Sequence, residues 1–398
     1  MFMAEMKNKM KKRFLTLYWV DINESNKGIL FKDVGSIPLA MSKYLNYESN
    51  FAYLSTNENF KSNVYEKYVN LIEIKNNTNK LIKYFNIIKF ILKKIRYYDV
   101  LNLYAVSGGS YLLISLIAKL VNPKLKIFVK MDLGRETFNN LIETEQKIFG
   151  KFKGYILQLL GTKIDFYTVE TKAYVNALNK LIKFNGKVKY LPNGFFSDLV
   201  KFDKDIKKEK IILTVGRLGT IQKNTEIFVE AIENIETEKL KNWKFYLVGS
   251  MTEEFTEWFN NKLKLKPYLK DYFVVTGNIS DKKELYTLYA KSMVFVLPSR
   301  WESWGLVLTE ATAFSCYPIV TDCCDAFYEM LDITNSNFAE IIHSEDKDAL
   351  KTAIEEVLDS RIDYINKGKD ASNFVKENFS WRIIANKLEI YFNECYEK

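Results

Sequence analysis

The sequence predicts an α/β protein made of two doubly wound domains, each a parallel sheet with helices on its faces. Its length, 398 residues, exceeds what one hydrophobic core of ordinary size serves, so two domains of similar length are expected. Apolar runs of strand length alternate with amphipathic helical stretches along most of the chain, the pattern of parallel sheets covered by helices. A linker interrupts that alternation at Leu191-Pro192-Asn193-Gly194-Phe195 and the Lys-rich, aperiodic stretch Lys201 to Lys210. The expected domains are therefore 1–200 and 201–380.

In the first domain, strands are predicted near Phe14 to Val20, Phe51 to Ser55, Val100 to Ala105, Lys126 to Met131 and Lys163 to Val169. In the second they are predicted near Ile211 to Val215, Lys244 to Val248, Tyr272 to Val275, Met293 to Leu297 and Tyr317 to Val320. From Ser380-Trp381-Arg382 onward the chain reads as a last helix with a serine cap, its apolar positions supplied by Ile383, Ile384, Leu388, Ile390 and Tyr391.

Composition removes several function classes. With 47% hydrophobic and 27% charged residues, the chain is that of a soluble globular protein with no room for extended disorder. Cys316, Cys323, Cys324 and Cys395 have neither the spacing of a zinc site nor the density of a disulfide scaffold, so free thiols in a reducing cytoplasm are expected. A lone histidine, His343, excludes a histidine dyad or a histidine-rich metal cage. The basic start, with Lys7, Lys9, Lys11, Lys12 and Arg13, precedes an apolar stretch too short for a signal peptide or a membrane span. A formal charge of +9 fits an anionic ligand, an anionic membrane surface or nucleic acid, and no nucleic-acid motif favours the last. Lys80 to Tyr98 reads as an apolar helix rich in cations, suited either to packing on the sheet or to peripheral contact with an anionic bilayer that presents a lipid-linked acceptor.

Two stretches carry chemistry. The first is Leu297-Pro298-Ser299-Arg300-Trp301-Glu302-Ser303-Trp304-Gly305-Leu306-Val307-Leu308-Thr309-Glu310-Ala311. A buried strand there ends in a polar turn that opens a helix near Gly305, so free amides and the helix dipole meet at the sheet's carboxyl edge, where open α/β sheets bind ligands. Gly305 lets a ligand approach the backbone, and a diphosphate would be held there. Glu302 lies in the turn and Glu310 on the helix; carboxylates so placed accept hydrogen bonds from sugar and ribose hydroxyls. The second stretch is Thr214-Val215-Gly216-Arg217-Leu218-Gly219-Thr220-Ile221-Gln222-Lys223-Asn224, where Arg217 and Lys223 flank a glycine-bearing turn, and two fixed cations suit a diphosphate and the charge that develops on a leaving nucleotide.

Taken together, Ile211 to Val320 resembles the C-terminal domain of family 4 glycosyltransferases of the GT-B fold, and Pro192-Asn193-Gly194 resembles their interdomain turn. The resemblance implies two Rossmann-like domains facing each other across a cleft, a last helix, 381–398, that returns to the N-terminal domain, and retaining transfer of a sugar from a nucleotide-diphosphate sugar without a required metal or other cofactor. A UDP-sugar donor with UDP as product, and a glycan, lipid-linked or protein acceptor in cell-envelope polysaccharide assembly, follow from the same analogy. Carried over by motif, Glu302 with Ser303 and the amides of Trp304, Gly305 and Leu306 would hold the donor sugar and phosphates, and Glu310 the ribose. Arg217 and Lys223, beside Gly216, would hold the diphosphate, and Thr276-Gly277-Asn278-Ile279-Ser280, with Asn278 and Ile279, would lie along the base.

In the N-terminal half, Asp33-Val34-Gly35-Ser36, ahead of a helical stretch Ile37 to Leu45, resembles the family's glycine loop over the donor phosphates, although an ordinary helix-opening turn reads the same way. Lys130-Met131-Asp132 stands where the family has a His-Asp pair, with Met131 in the histidine's place and Asp132 available to sugar or acceptor. A retaining transfer needs no protein nucleophile if the leaving phosphate accepts the acceptor's proton on the same face, the enzyme supplying orientation and electrostatics. The competing reading is a transferase-like module that binds a glycan or a partner enzyme without chemistry. A nicotinamide oxidoreductase is disfavoured because Trp19-Val20-Asp21-Ile22-Asn23 lacks a glycine fingerprint.

Overall fold

The structure, a computed structural model, describes residues 11–24, 26–56, 62–104, 109–200 and 206–395. Lys7 and Lys9 of the basic start, Ala105, the stretch 201–205 that opens the Lys-rich segment, and residues 396–398 lie outside the described residues.

The chain divides into two units, Met1–Asn193 with Trp381–Lys398, and Gly194–Ser380. The second unit begins at Gly194 rather than after residue 200, because Phe195 is drawn into it. Its amide donates to the Phe379 carbonyl at 3.1 Å, and its ring is buried in that unit's apolar cluster.

Unit 1 is a wholly parallel sheet of β1 (Lys12–Asp21), β2 (Tyr47–Ser55), β3 (Val69–Lys75), β4 (Val100–Tyr104), β5 (Lys126–Lys130), β6 (Phe166–Val169) and β7 (Val188–Tyr190), in the order β3-β2-β1-β4-β5-β6-β7. Unit 2 repeats the design with β8 (Glu209–Val215), β9 (Lys244–Val248), β10 (Phe273–Gly277), β11 (Ser292–Leu297), β12 (Tyr317–Thr321) and β13 (Glu340–Ile342), in the order β10-β9-β8-β11-β12-β13. Three strands, β3, β7 and β13, are absent from the sequence reading. All lie at sheet edges: β3 is broken by the exposed polar residues Asn70 and Glu73, and the other two span only three residues each, too short for a periodic signal.

In each unit the strand order reverses beside the first strand, between β1 and β4 and between β8 and β11. Such a switch point opens a crevice at the carboxyl ends of the strands.

The two faces of the first sheet differ in chemistry. Register pairs Asn102 with Thr16 and Phe128, Phe128 with Phe166, and Lys130 with Tyr104 and Thr168, so these side chains share one face. Toward the amino ends of the strands that face is aromatic, and the helix Trp381–Glu394 covers it: the Phe392 ring sits 6.5, 5.6 and 5.7 Å from the rings of Phe14, Phe128 and Phe166. Toward the carboxyl ends it turns polar, under the first turn of the helix Asp33–Tyr44. The opposite face is aliphatic: Leu15, Leu17, Leu101, Leu103, Ile127 and Val129 pack beneath the helices Lys80–Lys94 and Ser110–Val121.

Because Phe392 is fully buried against three rings, Phe392→Ala is expected to cost about 3–5 kcal/mol. Thermal unfolding followed by circular dichroism checks this; an unchanged melt would place the last helix off the sheet.

Candidate active site

At the switch point of unit 2, the loops after β8 and β11 are stitched together by short polar contacts. The first loop leaves β8 tethered to β9, Gly216 N donating to Val248 O at 2.9 Å and Leu218 N to Ser250 O at 2.8 Å. Between these tethers Arg217 points outward, exposed, with Nη2 donating to Gln222 Oε1 at 2.7 Å. Gln222 then reaches the second loop, its Nε2 donating to Trp301 O at 3.0 Å and its carbonyl accepting from Arg300 N at 2.8 Å. The Lys223 stem crosses the end of β8 over Gly216, where an added Cβ would sit 3.1 Å from Lys223 Cε.

Lys223 Nζ pairs with Glu302 Oε1, and Ser299 Oγ donates to the same oxygen at 2.8 Å. Glu302 is only 9% exposed, so the pair is largely withdrawn from water, where its attraction exceeds that of a surface pair. Ser299 is itself held by Thr321 Oγ1, which donates to its carbonyl at 2.6 Å.

The turn then enters the helix Leu306–Ala313 through Gly305, at φ +81°, where a Cβ would meet the Phe327 ring at 2.7 Å. Only glycine satisfies both conditions. The helix's first backbone bond runs from Leu308 N to Gly305 O at 2.9 Å, so the Leu306 and Val307 amides precede the helical ladder and face the crevice as donors. Ser303 is half-buried beside them, its carbonyl accepting from Cys324 Sγ at 3.4 Å. Trp304 contributes backbone alone: its side chain is core, with Nε1 donating to Thr309 Oγ1 at 2.9 Å and the ring 5.5 Å from that of Phe379.

Lys223 and Glu302 are thus brought into contact, with Ser303, Gly305 and Leu306 following on the same turn and Arg217 linked to that turn through Gln222. Glu310 is held apart from Glu302, paired with Lys282 of the neighbouring helix Lys282–Lys291. Asn278 is exposed after β10, and Ile279 is half-buried against the apolar cluster of unit 2. Sequence reasoning missed Gln222, Ser299 and Lys282, which have no motif of their own; their roles come from the loops they join.

In unit 1 the expected glycine loop at Gly35 and Ser36 is no loop. Both residues lie in the first turn of the helix Asp33–Tyr44, where a Cβ on Gly35 would fall 2.3 Å from Leu30 O and Tyr65 OH donates to Gly35 O at 3.0 Å. Gly35 therefore serves close packing of the 3-10 turn Lys27–Phe31 on the helix.

Asp132 lies half-buried past the end of β5, while Met131 points the other way into the aliphatic core. Beside Asp132 sits a group that sequence reasoning did not single out, Lys130 with Glu170, both fully buried. Lys130 Nζ lies 3.2 Å from Glu170 Oε2, 3.7 Å from Asp33 Oδ2 and 3.1 Å from Met131 O. Tyr104 OH donates to Asp33 Oδ2 at 3.1 Å. Burial pulls the Lys130 ammonium down, but Glu170, Asp33 and Asp132 outweigh it and hold the pKa above the usual lysine value. Burial pushes the Glu170 carboxyl well above its ordinary range; Lys130 opposes this, and the charge of Asp132 and a hydrogen bond to it push further in the same direction. A signal was available: Lys130 ends an otherwise apolar strand, and lysine is almost never fully buried without a partner.

With this geometry in view, the comparisons with known proteins fall into place. Residues 197–378 match the family described as glycosyl transferases group 1. That match spans nearly all of unit 2. The chain is 26% identical over 316 residues to an uncharacterized 41.2 kDa protein in the cps region of Klebsiella pneumoniae, covering 76% of this chain and 81% of that protein. It is 27% identical over 191 residues to the Campylobacter jejuni enzyme named GalNAc-alpha-(1->4)-GalNAc-alpha-(1->3)-diNAcBac-PP-undecaprenol alpha-1,4-N-acetyl-D-galactosaminyltransferase, a match spanning 47% of this chain and half of that enzyme. Among solved structures, the Anabaena protein HepE in complex with UDP and glucose superposes with a TM-score of 0.68 at 12% identity, over 96% of this chain and all of that one. The fold is GT-B, and the matched region carries the crevice of Lys223, Glu302 and Gly305.

The buried carboxyl gives a pH signature. A Glu170 pKa raised on folding contributes stability that is fully present below the unfolded value, about 4.3, and is lost as pH rises through the folded one. Glu170→Gln is therefore expected to gain thermal stability relative to the native protein as pH rises above about 5. Parallel melting curves across that range would show that Glu170 ionises normally.

Proposed function

We propose that this chain is a retaining, metal-independent glycosyltransferase that moves a sugar from a UDP-sugar to a lipid-linked glycan at the cytoplasmic face of a membrane. The observation that carries the reading is the Lys223–Glu302–Ser299 contact beside the helix start at Leu306, in the switch-point crevice of the region that matches glycosyl transferases group 1. In the reaction proposed, the bond from the anomeric carbon to the phosphate oxygen breaks and a bond to the acceptor oxygen forms on the same face. The acceptor's proton passes to the leaving phosphate. Lys223, Arg217 and the Leu306 and Val307 amides would carry the charge that develops on the diphosphate. Among the described residues no protein group donates to Glu302 Oε2, which leaves it available to a donor-sugar hydroxyl. Glu310 would take the ribose diol, exchanging Lys282 for it.

UDP is chosen because HepE is described with UDP and with glucose, and a lipid-linked acceptor because the Campylobacter enzyme is named for an undecaprenol-linked one. The surface of unit 1 supports the second choice. The helices Lys80–Lys94, Ser110–Val121 and Ile148–Leu160 lie side by side and contain no acidic residue. Ile87 and Ile91 of the first face the sheet, yet Leu81 is 80% exposed, Leu120 74%, Leu159 72% and Phe152 68%. Packing on the sheet thus accounts only for the inner stripe of Lys80–Lys94. The outer surface combines large apolar side chains with Lys83, Lys93, Lys151 and Lys153, the chemistry of a helix face that lies on anionic lipid. Among the described residues no helix is long and apolar enough to cross a membrane.

Two experiments test the proposal. A panel of UDP-, GDP- and ADP-sugars is expected to show release of UDP alone, unaffected by EDTA and reduced about a hundredfold or more in Glu302→Ala. Binding of UDP without turnover of any donor would instead favour a module that recognises nucleotide or glycan without chemistry. On the membrane side, sedimentation with phosphatidylglycerol vesicles is expected for the native chain, and Phe152→Ser with Leu159→Ser is expected to lower the bound fraction. Equal binding to neutral phosphatidylcholine vesicles, or none to either, contradicts the membrane part.

A further inference from the structure

We propose that Lys130 and Glu170 are positioning residues for Asp132, fixing its carboxylate as the group that receives the acceptor's hydroxyl; this rests on the transferase reading above. Asp132 sits on a short loop held on both sides. The Met131 amide donates to Thr168 O at 2.9 Å, and the Met131 carbonyl accepts from Lys130 Nζ at 3.1 Å. On the far side the Leu133 amide donates to Glu170 Oε1 at 3.2 Å, while Glu170 Oε2 takes Lys130 Nζ at 3.2 Å. One carboxyl group and one ammonium therefore tie the backbone before and after Asp132 to the ends of β5 and β6. Glu170 also hydrogen-bonds the Asp132 side chain directly.

Stability does not explain why these groups are here. A fully buried Lys–Glu pair repays little more than its own desolvation, and well-packed apolar residues would serve the sheet as well, so the arrangement has another use. Its place suggests which. The pair lies at the sheet's carboxyl edge under the first turn of the helix Asp33–Tyr44, with Met131 turned away into the core and Asp132 as the half-buried member. Thr168 Oγ1, on the register partner of Lys130 and on the same sheet face, is buried and makes no hydrogen bond among the described residues, and Ser36 Oγ on the covering helix is in the same condition. These hydroxyls and the Lys130–Glu170 pair make a polar wall behind Asp132, suited to a polyhydroxylated ligand.

In the reaction, Asp132 accepts a hydrogen bond from the acceptor's hydroxyl and orients its oxygen; the proton itself leaves to the donor phosphate, and Asp132 forms no covalent bond. Glu170 supports this while it holds its proton and donates to Asp132. Burial sets its charge first, followed by Lys130, Asp132 and Asp33 of the covering helix, and Tyr104 of β4 faces it as well. Once Glu170 ionises, two carboxylates face each other and Asp132 is displaced.

The test uses the full chain, the donor identified by the nucleotide-sugar panel, and n-octyl glycosides of hexoses and N-acetylhexosamines as acceptor probes. Glu170→Leu is expected to lower transfer to the probe about tenfold, the loss of a hydrogen bond to a charged group, with UDP affinity and the slow hydrolysis of donor unchanged. The same change made in Asp132→Asn is expected to add less than about twofold, because Glu170 acts through Asp132. The KM for the probe should rise with pH in the native chain and stay flat in Glu170→Gln, a readout that also serves if Glu170→Leu fails to fold. Multiplying effects in the double variant, a Glu170→Leu chain as active as the native one, or the same rise of KM in Glu170→Gln overturns the positioning role alone. A native chain that turns over no donor overturns the transferase reading and this role with it.

Discussion

A parallel strand that turns directly into a helix leaves backbone amides without partners, and in unit 2 the turn from β11 into Leu306–Ala313 does so at the switch point of the sheet. The other parts of the crevice are arranged around that constraint. Gly305 is required by its positive φ and by the Phe327 ring. Trp304 is spent on the core, which fixes the turn from behind through Thr309 and Phe379. The Lys223–Glu302 pair joins the loop after β8 to the loop after β11, so the cations of one loop and the amides of the other are set against the same small volume. An anion entering that volume meets charge already in place, the condition under which electrostatic stabilisation acts without reorganisation.

Unit 1 solves a different problem with the same sheet. One face is sealed at the amino ends by Phe392 against three rings and left polar at the carboxyl ends, where Lys130, Glu170, Asp33 and Asp132 meet. On the other face, the helices Lys80–Lys94, Ser110–Val121 and Ile148–Leu160 contain no acidic residue and expose large apolar side chains beside lysines. Carboxylates therefore gather around Lys130 at one edge, where hydroxyl groups are bound best, and lysines with exposed leucines lie on those three helices of the opposite side. The net positive charge of the chain, uninformative as a sum, acquires meaning from this separation.

How far the sequence could be read follows from how locally each feature is encoded. Strands inside a sheet that carry a continuous apolar run announce themselves, as Ile127 to Val129 of β5 and Met293 to Leu297 of β11 do; β7 and β13, three residues each, do not. The turn from Ser299 to Gly305 was legible because its residues are contiguous. At Gly35–Ser36 the sequence leaves a glycine loop and a helix-opening turn equally open, because a glycine needed for close approach to Leu30 looks the same as one needed for a loop; the structure has the turn. Gln222 and Lys282 gain their roles only from partners far along the chain, at Trp301 and Glu310, and Glu170 is 40 positions from Lys130. Periodicity and motif spacing carry no information about such contacts, which tertiary packing creates.

The most direct test of the central claim is a crystal structure of the chain soaked with UDP. The account predicts the β-phosphate within about 3 Å of the Leu306 and Val307 amides and of Lys223, with the ribose on Glu310. UDP bound elsewhere in unit 2, with the Lys223–Glu302 contact and the helix start untouched, would contradict it.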